Sequence, residues 1–163
     1  MPVAQQKRID NRQARYRFTI LETWEAGIEL TGPEVKSLKA GQGDLKGAYV
    51  RVRSGASSGG HRQVLAELIN AYIPPYMKAG PLPDYNPRRT RRLLLHRGEI
   101  GKLLGLLETK GLTLVPLSVY TRNHLVKLTL GLARGKSAVD KREVIKKRDL
   151  DRSVRERMMR RVR

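Results

Sequence analysis

The sequence predicts a small, mainly β protein: an antiparallel barrel with short peripheral helices, followed by a basic C-terminal tail. Several short segments alternate apolar and polar residues, which is typical of strands with one buried face. These strands do not alternate regularly with helices as in a parallel sheet, so we expect antiparallel pairing. After Gly135 the apolar pattern gives way to a run of cations. We therefore divide the chain into a barrel, residues 1–135, and a tail, residues 136–163.

The first predicted strand lies between Tyr16 and Leu30. Apolar side chains occupy every even position of this segment except that of Glu22. This period of two indicates one long or bent strand with a buried and an exposed face. Glu25 is expected on the exposed face, and Gly27 is the expected site of a bend or bulge.

A short helix is predicted directly after this strand. Pro33 suits a first helical position, Glu34 complements the positive end of the helix dipole, and Gly41 suits the helix end. Lys36 and Lys39 lie three residues apart, so they should share an exposed edge of the helix.

Further strands and a second helix complete the predicted barrel. The same alternation predicts strands over residues 48–53, 64–72, 112–120 and 125–133. The last two form a hairpin around residues 122–124. Apolar residues at helical spacing, beginning at Ile100, predict an amphipathic helix that Gly111 closes. The Gly/Ser-rich residues 54–60 and the proline-rich residues 74–87 are expected to be irregular loops.

The net charge indicates a polyanionic partner. The chain contains 34 Lys and Arg against 15 Asp and Glu, a net charge of +19, and twelve of these cations lie in the tail. Such a charge opposes compaction and is typical of proteins that bind nucleic acid, here RNA above all. No apolar run approaches the length of a membrane span, and the tail lacks the apolar face of an interfacial helix. We therefore expect no membrane partner.

Little in the sequence favours catalysis or metal binding. The absence of cysteine excludes disulfides, thiolate zinc sites and cysteine nucleophiles, and it fits a reducing cytoplasm. The three histidines lack metal-ligand spacing, and the carboxylates form no evident catalytic pair. The stretch from Gly131 to Ser137 resembles a phosphate-binding loop, but three residues separate its glycines where that motif has four. We expect neither a cofactor nor an enzymatic activity.

Two residues leave alternatives open on sequence alone. Glu25 either pairs across the sheet, which the sequence favours, or accepts hydrogen bonds from a base edge. His96 follows an apolar run and lies close to Arg91 and Arg92. It is either an ordinary surface histidine or an imidazole that stacks on a base or contacts a phosphate.

Stretches spread along nearly the whole chain resemble the small protein B (SmpB) family, the partners of transfer-messenger RNA (tmRNA) in bacterial ribosome rescue. Their order and spacing make the resemblance specific. The stretches are residues 11–15, 24–28, 31–41, 90–96, 114–117, 135–136 and 140–143. The chain departs from the family pattern at Ser137, where a second Lys is usual, and at Tyr16, where His is frequent. It also has Leu150 where some members have an aromatic residue.

The resemblance implies a fold and a function. The fold would be a barrel related to the OB-fold with peripheral helices. The barrel would hold the tRNA-like domain of tmRNA, and the tail would enter the decoding region and empty mRNA channel of a stalled ribosome. The protein would then be a non-enzymatic cytoplasmic adaptor, monomeric when free. The tail itself carries many like charges and has no core to dock on, so we expect it to be disordered when free and helical on the ribosome.

The candidate RNA-binding residues form two groups. By motif, the resemblance implies Glu25, Leu94 and His96 in the first group, and Gly135, Lys136, Asp140, Lys141 and Arg142 in the second; the other members are added candidates. The expected tmRNA contacts are Glu25, Lys36, Lys39, Arg91, Arg92, Leu94 and His96. The expected contacts with small-subunit ribosomal RNA around the decoding region are Tyr16, Gly135, Lys136, Asp140, Lys141 and Arg142.

Two other classes of protein remain as alternatives. A ribosomal protein or RNA chaperone would bind structured RNA broadly. An RNA-acting hydrolase would use His96 together with a carboxylate.

Overall fold

The computed structural model describes residues 7–56, 62–137, 145–147 and 149–153. Seven strands and three α-helices make up its main body. The strands are β1 (Ile9–Asp10), β2 (Phe18–Ile28), β3 (Tyr49–Ala56), β4 (Arg62–Ile69), β5 (Arg91–Leu94), β6 (Leu112–Arg122) and β7 (Leu125–Gly135). The helices are α1 (Arg12–Arg17), α2 (Gly32–Lys39) and α3 (Arg97–Leu107), with a 3₁₀ turn at Met77–Ala79.

The strands close into an antiparallel barrel, which confirms the predicted fold class. The order around the barrel is β6, β3, β4, β5, β2 and β7, and β7 pairs again with β6. The short strand β1 is added to β6, where Ile9 lies opposite Val119. The closing contact between β3 and β6 is a single pair, Val50 with Leu114. Along the rest of its length, β3 is paired in the sheet with β4.

The barrel interior is filled by the alternating apolar residues of the strands. Trp24 and Ala26 from β2 are buried, as the period of two predicts. They pack in one cluster with Leu114 from β6 and Leu128 from β7. Leu103 of α3 belongs to the same cluster and is completely buried. Leu38 of α2 is also part of this cluster, so α2 and α3 each pack an apolar edge against the barrel.

The start of β2 differs from the prediction. Tyr16 belongs to α1, because the side chain of Asn11 caps this helix by accepting a hydrogen bond from the amide of Ala14, 3.2 Å away. The bulge lies between Ile20 and Glu22 and not at Gly27. Gly27 instead pairs with both β5 and β7, and a Cβ there would come within 3.3 Å of the Leu94 Cβ.

Other boundaries also move. Strand β3 extends into the predicted Gly/Ser loop as far as Ala56, and β4 begins at Arg62, two residues earlier than predicted; residues 57–61, between the two strands, lie outside the described residues. The four-residue strand β5 was not predicted as a strand. Helix α3 ends at Leu107, and Gly111, with a φ of 83°, lies in the turn that follows. The β6–β7 hairpin is confirmed, and its two turn residues, Asn123 and His124, have the positive φ angles of a type I′ turn.

The stretch that resembles a phosphate-binding loop is part of a strand. Residues from Gly131 to Gly135 lie in β7, and a Cβ at Gly131 would approach Leu117 to 3.0 Å. This glycine permits close packing and does not cradle a phosphate. Among the described residues, no helix is long and apolar enough to cross a bilayer, and no cluster of His, Cys, Asp and Glu could hold a metal ion.

Candidate nucleic-acid interface

A groove of about 810 Å³ opens beside β5, β2 and β7, between the start of α3 and the β6–β7 turn. We call it the β5–β2–β7 groove. It brings together three residues that the sequence singled out as RNA contacts, Glu25, Leu94 and His96. Its other lining residues are Gly27, Ile28, Leu30, Val35, Leu95, Glu99, His124, Leu125, Val126 and Lys127.

Glu25 is held by residues of the β6–β7 hairpin. Its carboxylate accepts a hydrogen bond from the Tyr120 hydroxyl, and it lies 3.5 Å from Arg122 Nη1 and 3.8 Å from Lys127 Nζ. The hydrogen bond from Tyr120, aided by these two charges, lowers the pKa of Glu25 below its ordinary value. Glu25 therefore pairs across the sheet as an ionised group, the alternative that the sequence favoured.

Leu94 and His96 form the opposite side of the groove. Leu94 points outward from β5 with 53% of its surface exposed, because successive residues of the strand face alternately in and out. His96 is exposed at the start of α3, where its backbone N–H donates to Glu99 Oε2 at 3.1 Å. An exposed leucine, an imidazole and nearby cations together suit the bases, sugars and phosphates of an RNA loop.

Arg91 is not a surface residue, so the expectation that it contacts tmRNA is wrong. It is completely buried, and its Nε donates to Glu34 Oε1 at 2.9 Å. Its other N–H groups donate to the carbonyl oxygens of Ala71 at 2.8 Å and Pro87 at 2.9 Å. Arg91 therefore ties α2 to the segment before β5 and has no donor directed to solvent.

Glu34, the partner of Arg91, is also completely buried. Burial alone would raise the pKa of Glu34, but hydrogen bonds from Arg89, from the Thr31 amide and from Arg91 lower it below the ordinary value. The carboxylate is thus ionised between two guanidinium groups. The sequence suggested only a role for Glu34 at the helix dipole, because its partners lie more than fifty residues away.

The remaining basic candidates of the first group are exposed. Lys36 and Lys39 lie on the outer edge of α2, as predicted, and Lys36 Nζ is 6.0 Å from the centre of the Tyr76 ring. Arg92 points outward from β5. None of these three is among the lining residues of the β5–β2–β7 groove.

The described residues of the second group meet at the other end of the barrel. Tyr16 lies near the end of α1, and Gly135 pairs with Phe18. The Lys136 backbone N–H donates to the Arg17 carbonyl at 3.0 Å, and Lys136 Nζ donates to the Arg15 carbonyl at 3.1 Å. A cation is thus bound at the negative end of α1. Asp140, Lys141 and Arg142 lie outside the described residues.

The two groups are separated by the length of the β2–β7 ladder. Phe18 pairs with Gly135 at one end of the ladder, and Gly27 pairs with Lys127 at the other. At the ordinary rise of a strand residue this span is about 30 Å. The barrel therefore keeps the groove and the start of the tail apart.

Sequence reasoning missed the residues that hold Glu25. Tyr120 and Lys127 lie directly opposite each other in the β6–β7 hairpin, and Glu25 is on the strand that pairs with β7. The hairpin turn fixes the register between β6 and β7, so the pair of Tyr120 with Lys127 could have been read from the sequence. The register between β2 and β7 could not, because the bulge after Ile20 shifts it.

A closed antiparallel barrel with an apolar, cation-edged groove and a basic extension has the architecture of an RNA-binding protein. The family model described as SmpB protein matches residues 8–161, and the chain belongs to this family.

Curated relatives and a solved structure agree with this assignment. The chain is 52% identical to the SsrA-binding protein of Gloeothece citriformis, over 93% of this chain and 92% of the relative. It is 49% identical to the SsrA-binding protein of Microcystis aeruginosa, over 89% and 88% of the two chains. It is also similar to a chain in a solved structure described as "tmRNA-SmpB: a journey to the center of the bacterial ribosome". That similarity has a TM-score of 0.64 and 47% identity and covers 81% of this chain and 86% of that one.

Proposed function

We propose that this protein is a non-enzymatic adaptor that binds the tRNA-like domain of tmRNA and delivers it to stalled ribosomes in the cytoplasm. Membership of the SmpB family supports the proposal, as do relatives named SsrA-binding protein and a structural neighbour described with tmRNA and the bacterial ribosome. The observation that carries it is the β5–β2–β7 groove, in which Glu25, Leu94 and His96 meet.

Within the groove, each residue has a chemical role. Leu94 and the apolar lining bind the face of a base or a ribose, and His96 stacks on a base or donates to a phosphate. Ionised Glu25 holds Tyr120 and Arg122 at the rim, where the remaining N–H groups of Arg122 donate to the RNA. The exposed lysines of α2 and Arg92 add phosphate contacts that orient the RNA without reading its sequence.

At the far end, the tail acts on the ribosome. The basic residues that follow Gly135 enter the decoding region and the empty mRNA channel, where Asp140, Lys141 and Arg142 meet ribosomal RNA. Residues 145–147 and 149–153 are helical, and their apolar side chains Ile145 and Leu150 are exposed. These side chains gain a surface to pack on when the tail lies in the channel.

Leu94 provides the sharpest test of the groove. Leu94→Ala should weaken binding of a tmRNA transcript by about tenfold or more, because an apolar contact worth about 1.5 kcal/mol is lost. Leu21→Ala is the matched control, since Leu21 is 50% exposed on β2 and does not line the groove. Both variants should keep the melting temperature of the wild type. Equal affinities of the two variants for tmRNA would show that the groove is not part of the tmRNA-binding site.

Competition separates the adaptor from its rivals. RNA binding should weaken about tenfold or more between roughly 50 and 200 mM salt if three or four phosphates are engaged. At the higher salt a tRNA-like RNA should still outcompete a plain duplex of equal length, because contacts with shape and loops persist. Equal competition by the duplex would favour a broad RNA chaperone. Cleavage of labelled RNA or peptidyl-tRNA by the protein would favour the hydrolase.

A further inference from the structure

The outer wall of β3, β4 and β5 carries a cluster of arginines outside the β5–β2–β7 groove. Arg51 and Arg53 alternate along β3 and therefore point to the same side. Glu67 of β4 lies directly opposite Arg51, and Arg92 of β5 lies directly opposite Glu67. We call Arg51, Arg53 and Arg92 around Glu67 the arginine patch. Two guanidinium groups bond to the one carboxylate and Arg92 adds a third cation, so the patch has an excess of positive charge.

Glu67 fixes two of these arginines in a defined orientation. Its carboxylate accepts hydrogen bonds from Arg51 Nε and Nη2 at 3.3 and 2.9 Å. It also accepts them from Arg53 Nε and Nη2 at 3.1 and 3.0 Å. A guanidinium group has five N–H donors, so each arginine still presents its Nη1 edge to a ligand. The two side chains are 53% and 48% exposed.

This orientation exists before any ligand arrives. The hydrogen bonds from Arg53 and Arg51 lower the pKa of Glu67 to about 2, so the carboxylate stays ionised at every physiological pH. A ligand therefore need not order these two flexible side chains, and the entropic cost of binding is reduced. A phosphate suits the site because the planar edge of a guanidinium group binds two of its oxygens at once.

The arginine patch continues the wall that leads to the groove. Arg92 and Leu94 both face outward from β5, and Leu94 lines the groove. Leu65, which lies opposite Arg53, lines a neighbouring depression of about 790 Å³ together with Arg92 and Leu94. From β3 across β4 and β5 to β2 there are three strand spacings, or about 14 Å. A few nucleotides of RNA backbone cover that distance.

We infer that the arginine patch binds backbone phosphates of the same RNA strand that occupies the groove. This inference rests on the proposed function, because it takes the groove to be a tmRNA site. Arg92 was already expected to contact RNA, whereas Arg51 and Arg53 add a phosphate anchor on β3 that the sequence did not suggest. The anchor fixes the direction in which the RNA leaves the groove and contributes no sequence specificity.

The test compares full-length variants for binding of a tmRNA transcript across a salt series. Arg51→Ala/Arg53→Ala should raise the Kd about tenfold and reduce the slope of log affinity against log salt by about 1.5, the value for two phosphates. Arg51→Lys/Arg53→Lys should lie between this variant and the wild type, since it keeps the charges and loses the paired contacts. Arg92→Ala should reduce the slope by about half as much.

Arg12→Ala/Arg15→Ala is the matched control. It removes the same charge from exposed positions of α1, at the end of the β2–β7 ladder away from the β5–β2–β7 groove. Its Kd for tmRNA should stay within about twofold of the wild-type value, because only screened, long-range attraction is lost. Melting temperatures of all variants, measured alongside, separate a binding effect from a folding effect. If Arg51→Ala/Arg53→Ala does not fold, the Kd of Arg51→Lys/Arg53→Lys decides: a Kd equal to that of the wild type would overturn the inference.

The outcomes distinguish the inference from the proposed function. A wild-type protein that binds duplex RNA as well as tmRNA overturns both. If the wild type prefers tmRNA but the Arg51/Arg53 variant matches the control in affinity and slope, only the inference fails. It also fails if the variant keeps its tmRNA affinity and loses affinity for ribosomes, because the patch would then serve another partner. Ethylation of phosphates gives a direct readout, since one or two interfering phosphates should cease to interfere in the Arg51/Arg53 variant.

Discussion

Glu25 shows how a single carboxylate can matter to an RNA site on a strongly basic protein. Its oxygens already accept a hydrogen bond from Tyr120 and lie close to Arg122 and Lys127. We therefore expect Glu25 to act by positioning these side chains at the rim of the groove. Without Glu25, Tyr120 and Arg122 would lose their fixed orientation, and ordering them again on the RNA would weaken binding.

Glu25→Ala should weaken binding of tmRNA by about 1–3 kcal/mol, the cost of losing a charged hydrogen-bond network at an RNA interface. Stability should change by no more than about 0.5 kcal/mol, because the site is on the surface. Glu22→Ala is the control: Glu22 is exposed on the same strand and bonds to Lys102 at 2.6 Å, outside the groove. Tyr120→Phe should reproduce part of the Glu25→Ala loss. A Tyr120→Phe protein with full affinity would show that Glu25 does not act through Tyr120.

Glu34 governs stability rather than binding. It is buried between Arg89 and Arg91, so Glu34→Gln leaves two guanidinium groups short of their partner and should destabilise the fold by about 3–5 kcal/mol. The folded-state pKa of Glu34 is lowered, so its stabilising contribution is present above the ordinary carboxyl pKa. That contribution is lost as the pH falls through the lowered folded-state pKa.

Denaturant unfolding from neutral to acidic pH measures this dependence. Wild-type stability should fall with pH more steeply than that of Glu34→Gln, and the two curves should converge in acid. Parallel curves would show that Glu34 is not ionised in the folded protein.

At the scale of elements, long alternating segments were predictable and short or distant ones were not. The sequence predicted β2 and the β6–β7 hairpin because each of these three strands is eleven residues long and rich in apolar residues. It missed β5, whose four residues are half arginine and half leucine. It also misplaced Arg91, because an arginine is buried only when a carboxylate from elsewhere in the chain accompanies it. The sequence identified three residues of the groove, Glu25, Leu94 and His96, but it did not identify the hairpin residues that complete the groove.

The contact of Lys136 with α1, at the start of the tail, can be tested separately. Lys136→Ala removes the ammonium group that binds the Arg15 carbonyl and should cost about 0.3–1 kcal/mol of stability. Because this cation fixes where the tail leaves the barrel, tagging of peptides on stalled ribosomes should fall while the Kd for tmRNA is unchanged. Lys136→Arg should restore tagging, and Lys110→Ala, at an exposed turn residue, serves as the control. If Lys136→Ala still supports full tagging, the contact between Lys136 and the Arg15 carbonyl does not position the tail for its action on the ribosome.

At the scale of the whole molecule, the barrel separates two RNA-binding regions. The groove and the start of the tail lie at opposite ends of the β2–β7 ladder, about 30 Å apart. The buried cluster that holds the barrel together comes from residues before Gly135. Loss of the tail should therefore leave the fold and the groove intact, which makes capture of tmRNA and action on the ribosome separable.

Truncation after Ala138 tests this separation most directly. The quantities to measure are the Kd for a tmRNA transcript and the tagging of nascent peptides on stalled ribosomes, for the truncated and the full-length protein. An Asp140/Lys141/Arg142 triple alanine variant should behave like the truncation, since only the ribosomal contacts are removed. The adaptor model predicts a tmRNA Kd close to that of the full-length protein and a loss of tagging. A truncated protein that still supports tagging would contradict the model and reduce the tail to a solubilising extension.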